Sequence, residues 1–237
     1  MRVLILLFLS STIYAQTQLG DILNKANEAM KARNTAGLSD SKIANGLTEA
    51  LRVSTTKAVA AVGRPDGFLK NAAIKILLPE KLRPVATGLK MVGMGAQVNE
   101  LEVAMNRAAE QATPRAKQIF LDALRRMTFD DARRILTGGD TSATDYFKRQ
   151  SSADLTRAFT PIVKDTMNKV GVMQQYNKMI RSAPGGAALA GRFDMDQYVV
   201  GKTLDGLFYM LGQEEKDIRK NPAARTTAIL REVFGAR

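Results

Sequence analysis

The sequence contains no cysteine, no histidine and no tryptophan. Without cysteine there is no disulfide, so packing alone must hold the fold together. Without histidine or cysteine, the chain cannot form Ser-His or Cys-His nucleophile pairs, imidazole general bases, or the zinc, copper and haem sites that those ligands build. Most common hydrolase mechanisms are therefore excluded, and we expect neither a cofactor nor a metal site.

Carboxylates are scarce relative to basic side chains. The 23 Asp and Glu residues are outnumbered by 35 Lys and Arg residues, which gives a formal net charge of +12. A balance of this kind favours anionic partners. For an exported chain we expect anionic lipid, another amphiphile or an envelope protein, and no nucleic acid. The alternative is an evenly basic surface that only keeps the protein soluble.

The N-terminus, MRVLILLFLSSTIYA, has the pattern of a cleavable secretory signal. One arginine precedes an apolar run from Val3 to Leu9, and small and polar residues follow as far as Ala15. The run is too short to remain in a bilayer as a spanning helix. We predict that residues 1–15 are removed and that the mature protein is periplasmic. No later stretch approaches about 18 consecutive apolar residues, so we expect no integral membrane span in the mature chain.

Apolar residues recur at three- and four-residue steps along nearly the whole chain. This pattern predicts an all-α fold, an orthogonal bundle of roughly nine to eleven short and medium helices with no significant sheet. The stretch AIKILLP, residues 73–79, is the one segment typical of extended chain. Because no comparable segment is available to pair with it, a sheet is not expected.

Residues 182–194, SAPGGAALAGRFD, have the composition of a linker. They predict a helical core over residues 16–181, a Gly/Ala-rich loop over 182–194 and a C-terminal helical segment over 195–237 that packs on the core. A single domain covering residues 16–237 is the alternative.

Capping residues predict where individual helices begin and end. The predicted starts are Ser39 or Ser41, Thr113 before Pro114, Thr128 with Asp131, Ser151 or Ser152, Asp194 or Asp196, and Asn221 before Pro222. The predicted stops are Gly63 and Gly138-Gly139, and Pro161 should kink the helix that it interrupts. Further helices are expected over residues 20–33 and after Gly171.

Six motifs occur in order along the chain: GRPDGFL, LPEKLRPV, MNRAAE, MTFDDARRILTGGDTSATDYFKR, PIVKDTMNKVGV and LDGLFYMLGQEEKDIRKNPAARTTAILREVFG. Together they resemble the bacterial envelope family described as domain of unknown function 4197, over residues 38–235. The resemblance implies an exported, mostly helical bacterial protein. It supplies no catalytic residue.

Glu215 interrupts the apolar stripe of one predicted helix. The stripe consists of Val200, Leu204, Leu207, Phe208, Leu211 and Ile218. Arg219 follows one turn later in the favourable acid-to-base order, so we interpret Glu215 as a member of an ion pair at a helix junction or as a solvated helix end. Contact of Glu215 and Arg219 with a ligand is a second interpretation.

Glu214 and Glu215 are also weak catalytic candidates. A single glutamic acid can serve as the general acid of cell-wall glycan cleavage in a helical protein without histidine. The sequence offers no convincing second acidic group and no tryptophan platform for a sugar, so this activity is the alternative rather than the expectation.

Two further pairs of residues are candidates for ligand binding. Arg64 and Asp66, in GRPDGF, could form a small anion-binding turn, although an ordinary turn with Phe68 packed on the helices explains the same residues. Tyr198 and Lys202 lie on the helix that carries Glu215.

Gly201-Lys202-Thr203 looks like the end of a phosphate-binding loop. The position where that loop needs its first glycine is occupied by Asp196, and the segment reads as helix, so a nucleotide site is rejected. The methionines mostly fall on apolar faces, which favours core packing; their number also suits an adaptable pocket for an acyl chain. They are Met91, Met94, Met105, Met127, Met167, Met173 and Met179.

These features favour an exported, non-enzymatic binding or scaffold protein that handles an anionic or amphiphilic envelope component. A glutamate-dependent enzyme that cleaves cell-wall glycan is the alternative.

Overall fold

A computed structural model of the chain describes residues 40–169, 174, 177 and 193–221. The regular structure of these residues is entirely helical. The α-helices are α1 Asp40–Gly63, α2 Arg83–Met91, α3 Gly95–Ala112, α4 Ala116–Arg125, α5 Phe129–Thr137, α6 Ser142–Lys169 and α7 Met195–Lys220. Two 3-10 helices, Glu80–Leu82 and Thr113–Arg115, precede α2 and α4.

The all-α prediction is confirmed for the part of the chain that the structure describes, which contains no strand. The helices found there are fewer than the roughly nine to eleven predicted. The helices expected over residues 20–33, after Gly171 and after Pro222 lie outside the described ranges. No helix within those ranges combines the length and the apolarity that a bilayer crossing requires.

One predicted helix boundary is wrong. A helix start at Ser151 or Ser152 was expected, but α6 runs without interruption from Ser142 to Lys169. Ser151 is fully buried inside this helix, and Pro161 lies within it as well. The apolar side chains on either side of Ser151 continue one buried stripe, and this packing outweighs the preference of serine for a helix end.

Thr113 is not the helix cap that its position before Pro114 predicts. Its backbone stays in the helical region, with φ −53° and ψ −39°, and its hydroxyl donates to the carbonyl of Ala109 at 2.8 Å. The chain passes from α3 through the 3-10 turn into α4 without leaving helical geometry. No extended residue is therefore present to cap a new helix.

Other predicted boundaries are confirmed. Helix α1 ends at Gly63 as predicted, whereas its predicted start at Ser39 or Ser41 falls at the edge of the described residues. Thr128 and Asp131 form a reciprocal capping box at the start of α5. Asp194 caps α7 by accepting from the amide of Gln197 at 2.9 Å.

Replacing Thr128 by alanine should lower the free energy of unfolding by about 1 kcal/mol, because a capping hydroxyl is lost. Its Oγ1 accepts from the amide of Asp131 at 3.1 Å. The control is Thr137→Ala at the other end of α5, where the hydroxyl only donates to the carbonyl of Arg133; its change should stay within about 0.5 kcal/mol. Urea unfolding measures both, and equal losses would contradict the capping role.

The long helices α6 and α7 make the most extensive helix–helix contact, and α3 and α1 pack against them. The core between them is rich in aromatic rings. The ring of Phe120 lies 5.0 Å from that of Phe147 and 6.1 Å from that of Phe208, measured between centroids. Helix α2 does not pack extensively against α6 and α7; its main contacts are with α3 and with the 3-10 turn before it.

The stretch predicted to be extended has no strand partner among the described residues, and a side chain takes the place of that partner. The amide of Ile76 donates to Asn106 Oδ1 at 2.9 Å, and Asn106 Nδ2 donates to the carbonyl of Ile76 at 2.8 Å. Tyr198 donates its hydroxyl to the carbonyl of Leu77 at 2.8 Å. Side chains from α3 and α7 therefore hold the segment in place.

Burial along this segment alternates as it does in a strand. Ile74, Ile76 and Leu78 are buried, whereas Lys75 and Leu77 are exposed. The segment thus contributes three side chains to the core and presents the alternate side chains to solvent.

Candidate functional site

Glu215 lies at the N-terminus of α6, in a junction between helices. Its carboxylate accepts hydrogen bonds from the amides of Ala143 and Thr144 at 2.9 and 2.8 Å and from the Thr144 hydroxyl at 2.8 Å. The first amides of a helix have no partner inside the helix, and a negative charge there is favourable. Glu215 therefore caps the longest helix of the described residues from a distant part of the chain.

Arg219 completes this junction. It donates through Nε and Nη2 to Glu215 Oε1 at 3.0 and 2.8 Å, and Nη2 also donates to the carbonyl of Ile135 at 2.7 Å. The two side chains are only 6% and 7% exposed. The ion pair predicted from their spacing is confirmed. It ties α7 to the start of α6 and, through the carbonyl of Ile135, to the C-terminal part of α5.

The junction offers no room for a polymer. The cavity beside Glu215 has a volume of about 20 Å³, enough for a single water molecule. Glu214, the other catalytic candidate, is partly buried, and the exposed Lys57 places its Nζ 2.7 Å from Glu214 Oε2.

The turn that carries Arg64 and Asp66 is held by ion pairs of Asp66. Asp66 adopts a left-handed backbone with φ 66° and pairs with Lys70 at 2.8 Å and with Arg107 at 2.7 Å. Hydrogen bonds from Lys70 and then from Arg107 lower the pKa of the Asp66 carboxyl. Arg64 contributes its carbonyl, which accepts from the amide of Gly67 at 2.9 Å.

A second buried carboxylate, Glu110, holds the chain just after this turn. It accepts from the amides of Phe68 and Leu69, both at 3.1 Å, and from Arg107 at 2.6 Å. This is the same arrangement as at Glu215: one carboxylate binds two consecutive amides and a nearby arginine. The Arg107–Glu110 spacing of three residues was the only signal of it in the sequence.

An open groove, about 660 Å³ in volume, lies between the extended segment with its following turn, residues 73–83, and the first half of α7. We refer to it as the groove. The side chains that give the groove its chemistry are Leu77, Phe193, Tyr198 and Tyr209, four cations (Lys75, Lys81, Arg83 and Lys202) and two carboxylates (Glu80 and Asp205).

The groove has an excess of positive charge. Lys202 lies 3.3 Å from Asp205, and Arg83 lies 3.6 Å from Glu80, so each carboxylate is matched by one cation. Lys75 and Lys81 are exposed, and no carboxylate of the described ranges lies within salt-bridge distance of either. Two ammonium groups are thus available to an anion.

Apolar and aromatic surface lies beside these cations. Leu77 and Tyr209 are each 46% exposed, and the rings of Phe193 and Tyr198 lie 5.6 Å apart between centroids. Burial raises the pKa of the Tyr198 phenol, and its hydroxyl donates to the Leu77 carbonyl. The groove can offer both an apolar wall and a cationic rim to one ligand.

The structure brings together two of the predicted binding residues, Tyr198 and Lys202, in the groove. Glu215 and Arg219 lie in the helix junction, and Arg64 and Asp66 lie at the separate turn. Segment 73–83, which forms the other wall, was not among the predicted site residues. Its alternation of apolar and basic residues was the signal that could have indicated it.

Several methionines of the described ranges are buried in the core, whereas Met91 is exposed, and none lines the groove. Met105 and Met167 are fully buried. Met173 and Met179 lie outside the described residues. Core packing therefore explains the buried methionines, and the groove does not take the form of an adaptable methionine pocket.

The fold and the groove define a structural class. Over its described residues the protein is all-helical and has an open, cationic and partly aromatic groove. Buried carboxylates hold its helix junctions. The family model described as Protein of unknown function (DUF4197) matches residues 37–235, and the chain belongs to this family. The resemblance inferred from the six motifs is thereby confirmed. No curated protein and no solved structure matches the chain.

Proposed function

We propose that the protein is an exported, non-enzymatic binding protein whose groove takes an anionic amphiphile of the cell envelope. The signal-like residues 1–15 support export to the periplasm. The excess of basic residues over the whole chain supports an anionic ligand. We also propose that the helices form an orthogonal bundle.

The observation that carries the proposal is that one groove combines open aromatic surface with two exposed cations that pair with no carboxylate of the described ranges. A phosphate or carboxylate headgroup can accept hydrogen bonds from Lys75 and Lys81. An alkyl chain can cover Leu77 and Tyr209, which removes their apolar surface from water. The volume of 660 Å³ falls within the range of about 300–1,000 Å³ that is usual for small-molecule sites.

The glycan-cleaving alternative has less support. A general acid must reach the glycosidic oxygen with its proton. Both oxygens of Glu215 are occupied by amides, a hydroxyl and Arg219, and Glu214 is paired with Lys57. Neither residue lines the groove.

Isothermal titration with monomeric dodecyl phosphate tests the proposal. The double variant K75Q/K81Q should bind about tenfold more weakly than wild type, because two charge-assisted contacts to one headgroup are lost. The matched control is K117Q/K148Q, which removes the same charge from exposed positions away from the groove and should bind as wild type does.

Two outcomes would overturn the proposal. The first is a wild-type protein that does not bind dodecyl phosphate. The second is an equal loss in both double variants, which would mean that the overall charge, and not the groove, attracts the anion. Both pairs of lysines are exposed, so all three proteins should share one melting temperature.

A further inference from the structure

The end of α2 presents the most exposed large apolar side chains of the described residues. Met91 is 83% exposed and Val92 is 72% exposed. Leu89, two residues before Met91 and on the opposite side of the helix from it, is buried. We define the α2 tip as residues 83–94, comprising this helix and the turn that follows it.

Met91 and Val92 lie at a hydrogen-bonded turn that ends α2. The amides of Val92 and Gly93 donate to the carbonyls of Gly88 and Lys90 at 3.3 and 3.2 Å, and the amide of Met94 donates to the carbonyl of Leu89 at 2.9 Å. Gly93 adopts the left-handed backbone, φ 83°, that ends many helices. The turn therefore holds Met91 and Val92 outward in a fixed position.

The charged residues within the tip, Arg83 and Lys90, are both basic. Between Glu80 and Glu100 the sequence contains no Asp or Glu, whereas Lys81, Arg83 and Lys90 fall within that stretch. Pro84, Thr87 and Gly88, at helical steps before Met91, are exposed and uncharged. Glu80, which pairs with Arg83, lies before the tip, so Lys90 is the basic residue nearest its apolar end. An exposed face that ends in large apolar side chains beside a basic residue suits docking at a membrane interface.

We propose that the α2 tip docks the protein on an anionic lipid surface. Met91 and Val92 enter the boundary between headgroups and acyl chains, and Lys90 and Arg83 contact the anionic headgroups. This docking is a second site that shares only Arg83 with the groove, and it does not depend on whether the groove binds a ligand. Arg83 belongs to both, so the groove begins about 13 Å from the apolar end of the tip.

Vesicle co-sedimentation of the mature protein, residues 16–237, tests this docking. Wild type should bind phosphatidylcholine vesicles that contain phosphatidylglycerol, should bind pure phosphatidylcholine vesicles more weakly, and should lose binding as salt is added. The double variant M91D/V92D should lower the partition coefficient on the anionic vesicles about tenfold or more, because two apolar side chains no longer enter the interface.

The control variant is V103D/F129D, which adds the same two charges at exposed apolar positions outside the tip and should cost less than about threefold through net charge alone. The proposal would be overturned if wild type did not bind anionic vesicles at low salt, or if the two double variants lost vesicle binding equally. M91D/V92D should still bind monomeric dodecyl phosphate as wild type does, so failure of the tip and failure of the groove are distinguishable.

Discussion

Replacing Glu215 by alanine should lower the free energy of unfolding by about 3–5 kcal/mol, the loss expected when one partner of a buried ion pair is removed. Arg219 would remain in the junction without its carboxylate, and the amides of Ala143 and Thr144 would lose their acceptor. Both ends of the interaction are buried, so solvent cannot replace it. Urea unfolding measures the loss.

The substitution Glu215→Gln should cost less than Glu215→Ala. A glutamine keeps the length of the side chain and one acceptor oxygen for the amides of α6, but it loses the charge that pairs with Arg219. The order wild type, Gln, Ala in stability is therefore expected.

Glu214→Ala is the matched control, because it removes a neighbouring carboxylate whose partner Lys57 is largely exposed. Its cost should stay within about 1 kcal/mol. Equal losses at positions 214 and 215 would contradict the capping role of Glu215.

The glycan-cleaving alternative makes a different prediction for the same proteins. It requires wild type to release muropeptides from purified cell wall, and it requires a stable Glu215→Gln protein to release none. We expect no release from any of them.

Replacing Gly206 by alanine should destabilise the protein by about 1–3 kcal/mol, as overpacking of a core does. A Cβ atom at this position would lie 2.6 Å from Cε1 of Phe68 and 3.1 Å from Cβ of Ile74. The Phe68 ring is fully buried and has little room to move. Gly206 also lines the groove, so this contact sets how closely α7 approaches segment 73–83.

Gly201→Ala, in the same helix, is the control with the opposite expected sign. No atom lies within 4 Å of a Cβ built there. Because alanine loses less conformational freedom than glycine on forming a helix, this variant should gain about 0.5–1 kcal/mol. Thermal unfolding of the two variants should shift in opposite directions, and a shift in the same direction would show that Gly206 is not a packing constraint.

The parts of this fold that the sequence predicted well depend on local interactions. The helical periodicity, the Thr128–Asp131 capping box, the end of α1 at Gly63 and the Glu215–Arg219 pair each involve residues within a few positions of one another. Their geometry follows from the repeat of a single helix.

The parts that it did not predict depend on contacts between distant residues. Asn106 replaces a strand partner for Ile76, and Glu110 holds the amides after the turn at Asp66; neither contact has a local sequence signal. The uninterrupted course of α6 through Ser151 likewise follows from tertiary packing, which overrides a local capping preference.

One wall of the groove was predicted from local sequence, and the other wall was not. Its α7 wall was predicted in part, since Tyr198 and Lys202 were candidates on that helix. Its other wall was not, because only folding brings segment 73–83 against α7, through the bond from the Tyr198 hydroxyl to the Leu77 carbonyl.

The central claim, that the groove binds an anionic amphiphile, is tested most directly by a titration of ¹⁵N-labelled mature protein with monomeric dodecyl phosphate, followed by amide chemical shifts. The proposed function predicts saturable shifts that concentrate in residues 73–83 and 193–209, with little change around Glu215 or in helix α5, which does not line the groove. Shifts that are absent, or that concentrate around Glu215 and Arg219 instead, would contradict it.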